Sequence, residues 1–302
     1  MLRVIEQTLG TAALRAIGAA AGRCPERALK PFGIALGRSV WRLSARYRNV
    51  ALKNLRFVYE SEKTEEEIQD LARRVFEHFG RVAVEFFWGY RAPEEKIRSL
   101  VRLDGLEAVP EAAAHGRGLI IITAHFGNWE LLGRRAACEG FPLSVVARDC
   151  NDPRLAAYVN GLRSRGGVSV ISKDEPASRM LQVLKDNEML AILPDQNTII
   201  KPVFVPFFGR MASAAQGVAL LALRARCPLL PAFAVRDDEG WHTETWPLLM
   251  APQEGTMSEK ILKITADFTQ IIELQIRKYP EQWLWFHDRW RRRPGKGEGA
   301  DE

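Results

Sequence analysis

The residues best suited to chemistry lie in one stretch. His125 comes three positions after the end of the apolar run Leu119–Ile122, and Glu130 comes five positions after His125. The β-branched run predicts a buried strand, and Asn128 is of a residue type that caps helix N-termini. His125 is therefore expected at the carboxyl end of a core strand, where open α/β sheets hold their ligands. A histidine in that place can act as a general base towards a hydroxyl group.

The partner expected for His125 is Glu130. Residues five apart lie on different faces of a continuous helix, so the two side chains meet only if the chain bends, and Gly127 permits a bend. A carboxylate in contact would fix the imidazole tautomer and stabilise its charged form. The same spacing also fits a strand-capping histidine and a solvated acid at a helix start. On spacing alone both interpretations stay open.

Polar side chains also follow two other predicted strands, namely Arg148 after one and Asp195 with Gln196 after another. Because the carboxyl ends of parallel strands meet at one edge of a sheet, these groups are expected to converge on His125. Arg148, with Asn128, is assigned to binding a phosphate or a developing oxyanion. A surface-loop arginine and a helix-capping aspartate are the alternatives.

The rhythm of apolar and polar segments predicts an α/β fold with a mostly parallel central sheet flanked by helices. Strands are expected at 118–124, 143–148, 168–172, 189–194, 228–235 and 241–248. Helices are expected at about 128–139, 153–165, 175–186, 213–225 and 258–278.

Upstream of the sheet the sequence predicts two or three helices in residues 1–59 and a long helix over 61–90. Pro31 and Gly33 indicate a break. The spacing of Gly33 and Gly37 allows close helix packing, although such a pair by itself more often has no role. The expected organisation is an N-terminal helical, membrane-associated region (1–99), an α/β catalytic domain (100–294) and a disordered tail (295–302).

The charge of the chain is concentrated at its N-terminus. The whole chain has a net charge of +6, whereas residues 1–56 contain eleven Lys and Arg against two acids. Excess positive charge suggests an acidic partner such as nucleic acid, anionic lipid or an acidic carrier protein. Because the basic residues lie among apolar ones and no uncharged apolar stretch of 18 residues exists, an N-terminal helix lying on a membrane is expected.

Four scattered cysteines without a CxxC pair, and without histidines at zinc spacing, give no metal site, and no cofactor is expected.

Three further segments are candidates for binding. Arg165, before a predicted strand, either binds phosphate or faces solvent. The apolar loop 203–210, with Phe207, Phe208 and Gly209, is expected to line an acyl-chain pocket or to touch lipid. A core loop is the alternative, and the two interpretations do not exclude each other. The aromatic and basic segment 280–290 suits either an interface or a cover for the sheet.

Taken together, six blocks in order resemble the bacterial lipid A late acyltransferases, within the lysophospholipid acyltransferase superfamily. After an N-terminal block at 48–88, these are His125 to Glu130, Arg148-x2-Asn151, Arg165-Gly166, Asp195-Gln196, Val205 to Gly209 and Pro280 to His287.

The resemblance implies a glycerolipid acyltransferase-like fold and transfer of an acyl group from a thioester, carried by acyl carrier protein or coenzyme A, to a lipid hydroxyl. The expected acceptor is a Kdo-bearing lipid A precursor at the cytoplasmic face of the inner membrane, reached by a peripheral protein or one with a single N-terminal anchor. Nucleic acid is not an expected partner. His125 is expected to be the base, with Glu130 holding it.

Substrate binding is assigned to Arg165, Asp195, Gln196, Phe207, Phe208 and Gly209. The alternatives are another glycolipid or lysophospholipid as acceptor, a thioesterase in which His125 activates water, and a membrane-binding module without activity.

Overall fold

The computed structural model describes residues 15–105, 108–147, 152–292 and 294. The strands are β1 (Val101–Arg102), β2 (Leu119–Ile122), β3 (Leu143–Ala147), β4 (Ser169–Ser172), β5 (Met189–Ile192), β6 (Pro202–Phe207), β7 (Arg210–Ala215), β8 (Leu229–Arg236) and β9 (Trp241–Thr245). The first two helices are α1 (residues 15–21) and α2 (Glu26–Leu43). The others are α3 (Ala45–Tyr59), α4 (Glu65–Gly89), α5 (Glu94–Leu100), α6 (Ala108–Ala114), α7 (Trp129–Cys138), α8 (Pro153–Arg165), α9 (Ala177–Lys185), α10 (Gly217–Ala225) and α11 (Met257–Lys278).

Seven strands of the described residues form one sheet in the order β1-β9-β8-β2-β5-β3-β4. Neighbouring strands run parallel except β8 and β9, which are antiparallel. The predicted α/β fold with a mostly parallel sheet flanked by helices is therefore confirmed. β6 and β7 form a separate antiparallel hairpin, which the sequence analysis did not predict.

The strand β2 occupies the middle of the sheet, between β8 and β5. All four of its side chains are buried, as a continuous β-branched run requires when both faces of a sheet are covered. Helix residues such as Leu55 of α3 and Phe268 of α11 share one core with Ile120 and Ile122. A central strand packed in this way gives the residues that follow it a rigid base.

Helices α2 and α4 pack closely through glycines. A Cβ atom at Gly33 or Gly37 would overlap the backbone of α4, and one at Gly80 would overlap that of α2. The interpretation of the Gly33 and Gly37 spacing as helix packing is confirmed. The predicted break at Pro31 and Gly33 is wrong, because Pro31 lies inside α2 and the packing of that helix outweighs the backbone hydrogen bond that a proline lacks.

None of the helices in the described parts of the chain is long and apolar enough to cross a membrane. The expected disordered tail at 295–302 lies outside the described residues. The division of the chain near residue 100 stays a prediction.

Candidate active site

His125 lies between the end of β2 and the start of α7, as predicted. The chain turns there at Gly127, which has φ +57° and whose N–H donates to the carbonyl of Gln282 at 2.8 Å. A Cβ atom at this position would overlap the carbonyl oxygen of Ala234 in β8. Glycine is therefore required both for the left-handed conformation and for the close approach of the two backbones.

The imidazole of His125 is held by Asp195, which follows β5. The distance between His125 Nδ1 and Asp195 Oδ1 is 2.8 Å, and the other carboxylate oxygen accepts from the His125 backbone N–H at 3.0 Å. The indole N–H of Trp283 donates to that same oxygen at 2.9 Å. Because β2 and β5 are adjacent parallel strands, the residues at their carboxyl ends meet.

The pKa of Asp195 is set by two opposing effects. Burial by itself would raise it, but the His125 imidazole and the hydrogen bonds from His125 and Trp283 lower the pKa to about 2. The carboxylate, with a side chain only 2% exposed, is thus ionised at neutral pH and accepts the Nδ1 proton. In the neutral form of the imidazole, the unprotonated nitrogen is then Nε2.

The His125 side chain is 24% exposed, so its Nε2 can be approached from solvent. The side-chain nitrogen of Gln196 lies 3.3 Å from that atom. The ring of Trp129 packs against the imidazole edge with centroids 5.3 Å apart. The geometry is that of an oriented, accessible base.

Glu130 does not hold His125. Its carboxylate binds the guanidinium of Arg163 in α8 at 2.5 and 3.1 Å and accepts from the Tyr90 hydroxyl at 3.3 Å. The predicted contact between His125 and Glu130 is therefore wrong. The bend at Gly127 does occur, but α7 starts at Trp129, and the side chain of Glu130 in its first turn is bound by α8 and α4 residues.

Asn128 is fully buried and has two structural partners. Its oxygen accepts from the Leu131 N–H at 3.0 Å and so caps α7, while its amide group donates to Glu85 at 3.0 Å. Glu85, also buried, binds both Arg236 at 2.5 Å and the Trp241 indole at 2.9 Å. Both polar groups of this side chain are thus engaged inside the protein, and the expected role of Asn128 in binding an oxyanion or phosphate stays a prediction.

Two basic residues singled out by the sequence have different outcomes. Arg148 lies outside the described residues, as does Asn151, so its expected role stays a prediction. Arg165 is exposed on α8 and lines a surface cavity of about 410 Å³ together with Arg15 and Arg154. A basic cavity suits an anionic group, and substrate binding by Arg165 stays a prediction.

Phe207 is the last residue of β6, and Phe208 and Gly209 form the hairpin turn, in which Gly209 has φ +71°. Both rings are buried, and they pack against the tryptophans of the C-terminal segment at centroid distances of 5.7 Å to Trp283 and 6.0 Å to Trp285. The two rings therefore belong to the core, as one of the two interpretations expected, and the expectation that they line an acyl-chain pocket stays a prediction. Gly209 itself is exposed.

The C-terminal segment 283–289 completes the site, which the sequence analysis did not predict. Its Trp283 binds Asp195, and the His287 ring accepts from the Asn197 N–H at 3.1 Å. Asn54 of α3 fixes this segment by donating to the carbonyls of Trp285 at 2.8 Å and His287 at 2.7 Å. The dense aromatic composition of 280–290 was the available signal.

Burial lowers the pKa of two side chains in the same segment. The pKa of Arg289 falls to about 10 although Asp195 opposes the shift, and that of His287 falls below its ordinary value. The buried Arg289 guanidinium donates to the carbonyl of Ser213. Within the described residues, no cluster of three or more His, Cys, Asp or Glu side chains is placed to hold a metal ion.

The model of the bacterial lipid A biosynthesis acyltransferase family matches residues 1–292. The chain is 26% identical to the lipid A biosynthesis lauroyltransferase of Escherichia coli over 87% of its length and 85% of that protein's. It is 27% identical to the palmitoleoyltransferase of the same organism, over 82% and 80%. It is also 24% identical to a phosphatidylinositol mannoside acyltransferase of Mycobacterium tuberculosis, over 71% and 68%.

Proposed function

The chain belongs to the bacterial lipid A biosynthesis acyltransferase family, and we propose that it moves a fatty acyl chain from acyl carrier protein to a hydroxyl of a lipid A precursor. As a member of an acyltransferase family it takes an acyl donor and a lipid acceptor. The observation that carries the proposal for the chemistry is the accessible His125 imidazole held by an ionised, buried Asp195.

In the proposed reaction, Nε2 of His125 removes the proton from the acceptor hydroxyl, which takes the place of Gln196 at that nitrogen. The oxygen attacks the thioester carbonyl, and a C–O bond forms. When the tetrahedral intermediate collapses, the C–S bond breaks and the thiolate takes the proton back from Nε2. Asp195 stabilises the imidazolium that exists between these two proton transfers. Proton transfer by a positioned base contributes roughly 10²–10⁴-fold in rate.

Stabilisation of the oxyanion, or of a substrate phosphate, is assigned to Arg148. Two facts support this assignment: Arg148 comes directly after β3 in the sequence, and β3 pairs in parallel with β5, the strand before Asp195. A preorganised cation there would contribute most while negative charge develops on the carbonyl oxygen.

The direct test is transfer of a radiolabelled acyl group from acyl carrier protein to a lipid A precursor by the purified chain. The variant His125→Ala should fold as the wild type does and lose transfer, because the base is missing. Near-normal transfer by this variant would refute the assignment of the base. Release of free fatty acid in the absence of any acceptor would instead indicate a thioesterase.

A phosphatidylinositol mannoside is the second candidate acceptor, since a relative of 24% identity is named for that activity. The same assay with both acceptors separates the two. In cells, mass spectrometry of lipid A from a deletion strain should show the loss of one secondary acyl chain. An unchanged lipid A would rule out the lipid A precursor as acceptor and favour a phosphatidylinositol mannoside.

A further inference from the structure

Two groups of exposed apolar side chains in the described residues adjoin segments that contact the active site. The first is the corner between α2 and α3, where Leu43 is 86% exposed and Tyr47 is 50% exposed. The second is the segment between β5 and β6, where Ile199 and Ile200 are 68% and 70% exposed. We call these four residues the apolar rim.

The corner carries positive charge. The 33 residues from Arg27 to Tyr59 contain eight Lys and Arg and no acid. Several of these pair with acids of other elements, as Lys53 does with Asp288 at 3.0 Å. Arg42 and Arg46 are exposed on either side of Leu43 and take part in no ion pair within the described part of the chain.

The segment between β5 and β6 has the same character. Residues 196–210 contain Lys201 and Arg210 and no acid. The N–H of Ile200 donates to the Thr198 hydroxyl at 3.2 Å, so the backbone folds locally and leaves both isoleucine side chains in solvent. Two adjacent exposed isoleucines need an explanation in a segment where Thr198 and Pro202, on either side, are half-buried.

Both parts of the apolar rim are tied to the active site. Gln196, whose amide contacts Nε2 of His125, is three residues before Ile199, so their Cα atoms are at most about 11 Å apart. On the other side, the Tyr47 ring lies 6.4 Å from Phe286, the neighbour of His287. The rim therefore flanks the segment 286–288 that contacts the residues after Asp195.

We propose that the apolar rim rests on the surface of an anionic bilayer and brings the open side of His125 to the membrane. The proposal deepens the proposed function, on which it rests, by naming the surface through which the enzyme reaches its lipid. Protruding apolar side chains flanked by unpaired arginines suit insertion among lipid headgroups, where apolar groups enter the acyl boundary and cations meet phosphates.

The test is binding of the full-length protein to vesicles of phosphatidylethanolamine and phosphatidylglycerol, measured by flotation. The double variant Ile199→Asn/Ile200→Asn should lower the partition coefficient at least about tenfold, which corresponds to about 1.4 kcal/mol. Arg42→Gln and Arg46→Gln should each lower it about fivefold at low salt. On vesicles of neutral phosphatidylcholine, the arginine variants should have the same partition coefficient as the wild type, whereas that of the isoleucine variant should still be lower.

A matched control is the double variant Met257→Asn/Leu262→Asn, which removes two exposed apolar side chains from α11. Its binding should stay within about twofold of the wild type. Wild-type binding by the isoleucine variant, or an equal loss in the control, overturns the proposal. A loss of affinity for acyl carrier protein with unchanged vesicle binding also overturns it, by assigning the surface to the carrier protein.

Activity gives a second readout. With the acceptor in vesicles, the rim variants should raise KM and leave kcat unchanged; with the acceptor dispersed in detergent micelles, both constants should match the wild type. Flotation needs no turnover, so its outcome stands even if the wild type acylates neither lipid acceptor. Absence of acyl transfer by the wild type would refute the proposed function, and flotation alone would then test whether the apolar rim binds membranes.

Discussion

Replacing Asp195 by asparagine is the sharpest test of the site, because its carboxylate accepts three N–H groups at once. One oxygen accepts from Nδ1 of His125, and the other accepts from the His125 backbone and from Trp283. An asparagine has one acceptor and one donor group in the same place. It cannot satisfy all three donors.

The two orientations of the asparagine differ in cost. If its oxygen faces Nδ1, its NH₂ group opposes two buried N–H groups, at about 1–3 kcal/mol each. If its oxygen takes those two donors, its NH₂ group donates to Nδ1, and the imidazole proton moves to Nε2. The second orientation is favoured by about 2–6 kcal/mol, and it places the proton on the atom that must act as base.

A preference of that size predicts a loss of kcat/KM for Asp195→Asn of between about 30-fold and about 10⁴-fold. The measurement is acyl transfer from acyl carrier protein under conditions in which the acceptor is limiting. The matched control is Asp237→Asn in the turn after β8, whose carboxylate accepts the Glu239 and Gly240 N–H groups. It should stay within about twofold of the wild type, because the ion pairs that it weakens, with Arg102 and His242, include neither His125 nor Asp195.

Thermal unfolding of both variants separates misfolding from lost chemistry. The assigned role of Asp195 is refuted if Asp195→Asn is folded and keeps more than about a tenth of wild-type kcat/KM, since a tenfold change is only about 1.4 kcal/mol. In that case either the tautomer is not set by Asp195 or His125 is not the base.

Three further predictions concern stability. Burial is the main cause that lowers the pKa of His78 to about 3, against 6.5 for an ordinary histidine, so between these pH values only the unfolded chain binds this proton. The free energy of unfolding should therefore fall on acidification by about 1.4 kcal/mol per pH unit. His78→Phe should remove this contribution in urea titrations. Gly127→Ala should abolish folding or cost more than about 3 kcal/mol, whereas Gly140→Ala, also at positive φ but with open space around it, should cost about 1–2 kcal/mol by thermal unfolding. Glu85→Gln leaves the buried guanidinium of Arg236 without a counter-ion and should cost about 3–5 kcal/mol in denaturant unfolding; a cost below about 1 kcal/mol would contradict the pairing.

The sheet and the meeting of His125 with Asp195 could be predicted from the sequence, because both follow from local pattern. Buried parallel strands appear as continuous β-branched runs, and side chains after such strands meet at one edge. His125 and Asp195 were placed together by that rule. Glu130 was the wrong partner because sequence spacing says nothing about an arginine from another helix, and Arg163 binds it.

The hairpin β6–β7 could not be predicted by the same means. Its second strand contains Ala212, Ser213, Ala214 and Ala215, which have small side chains and no strand preference. The helix predicted at 213–225 included the last three of them, whereas α10 begins at Gly217. Their burial against the first strand, with Phe207 next to the C-terminal tryptophans, is decided by tertiary packing. Local propensity is overridden where small residues allow close approach.

The hold of Asn54 on the carbonyls of Trp285 and His287 has a consequence for how the protein matures. This contact joins residues 231 positions apart, and the bond from Trp283 to Asp195 spans 88 positions. Pairings at such separations form late, because a long loop must close before they stabilise anything. While a ribosome is still translating the chain, His125 and Asp195 already exist, yet the carboxylate lacks its tryptophan. The nascent polypeptide should thus have no activity until α11 and the C-terminal segment 283–289 have left the ribosome and packed against the rest of the chain.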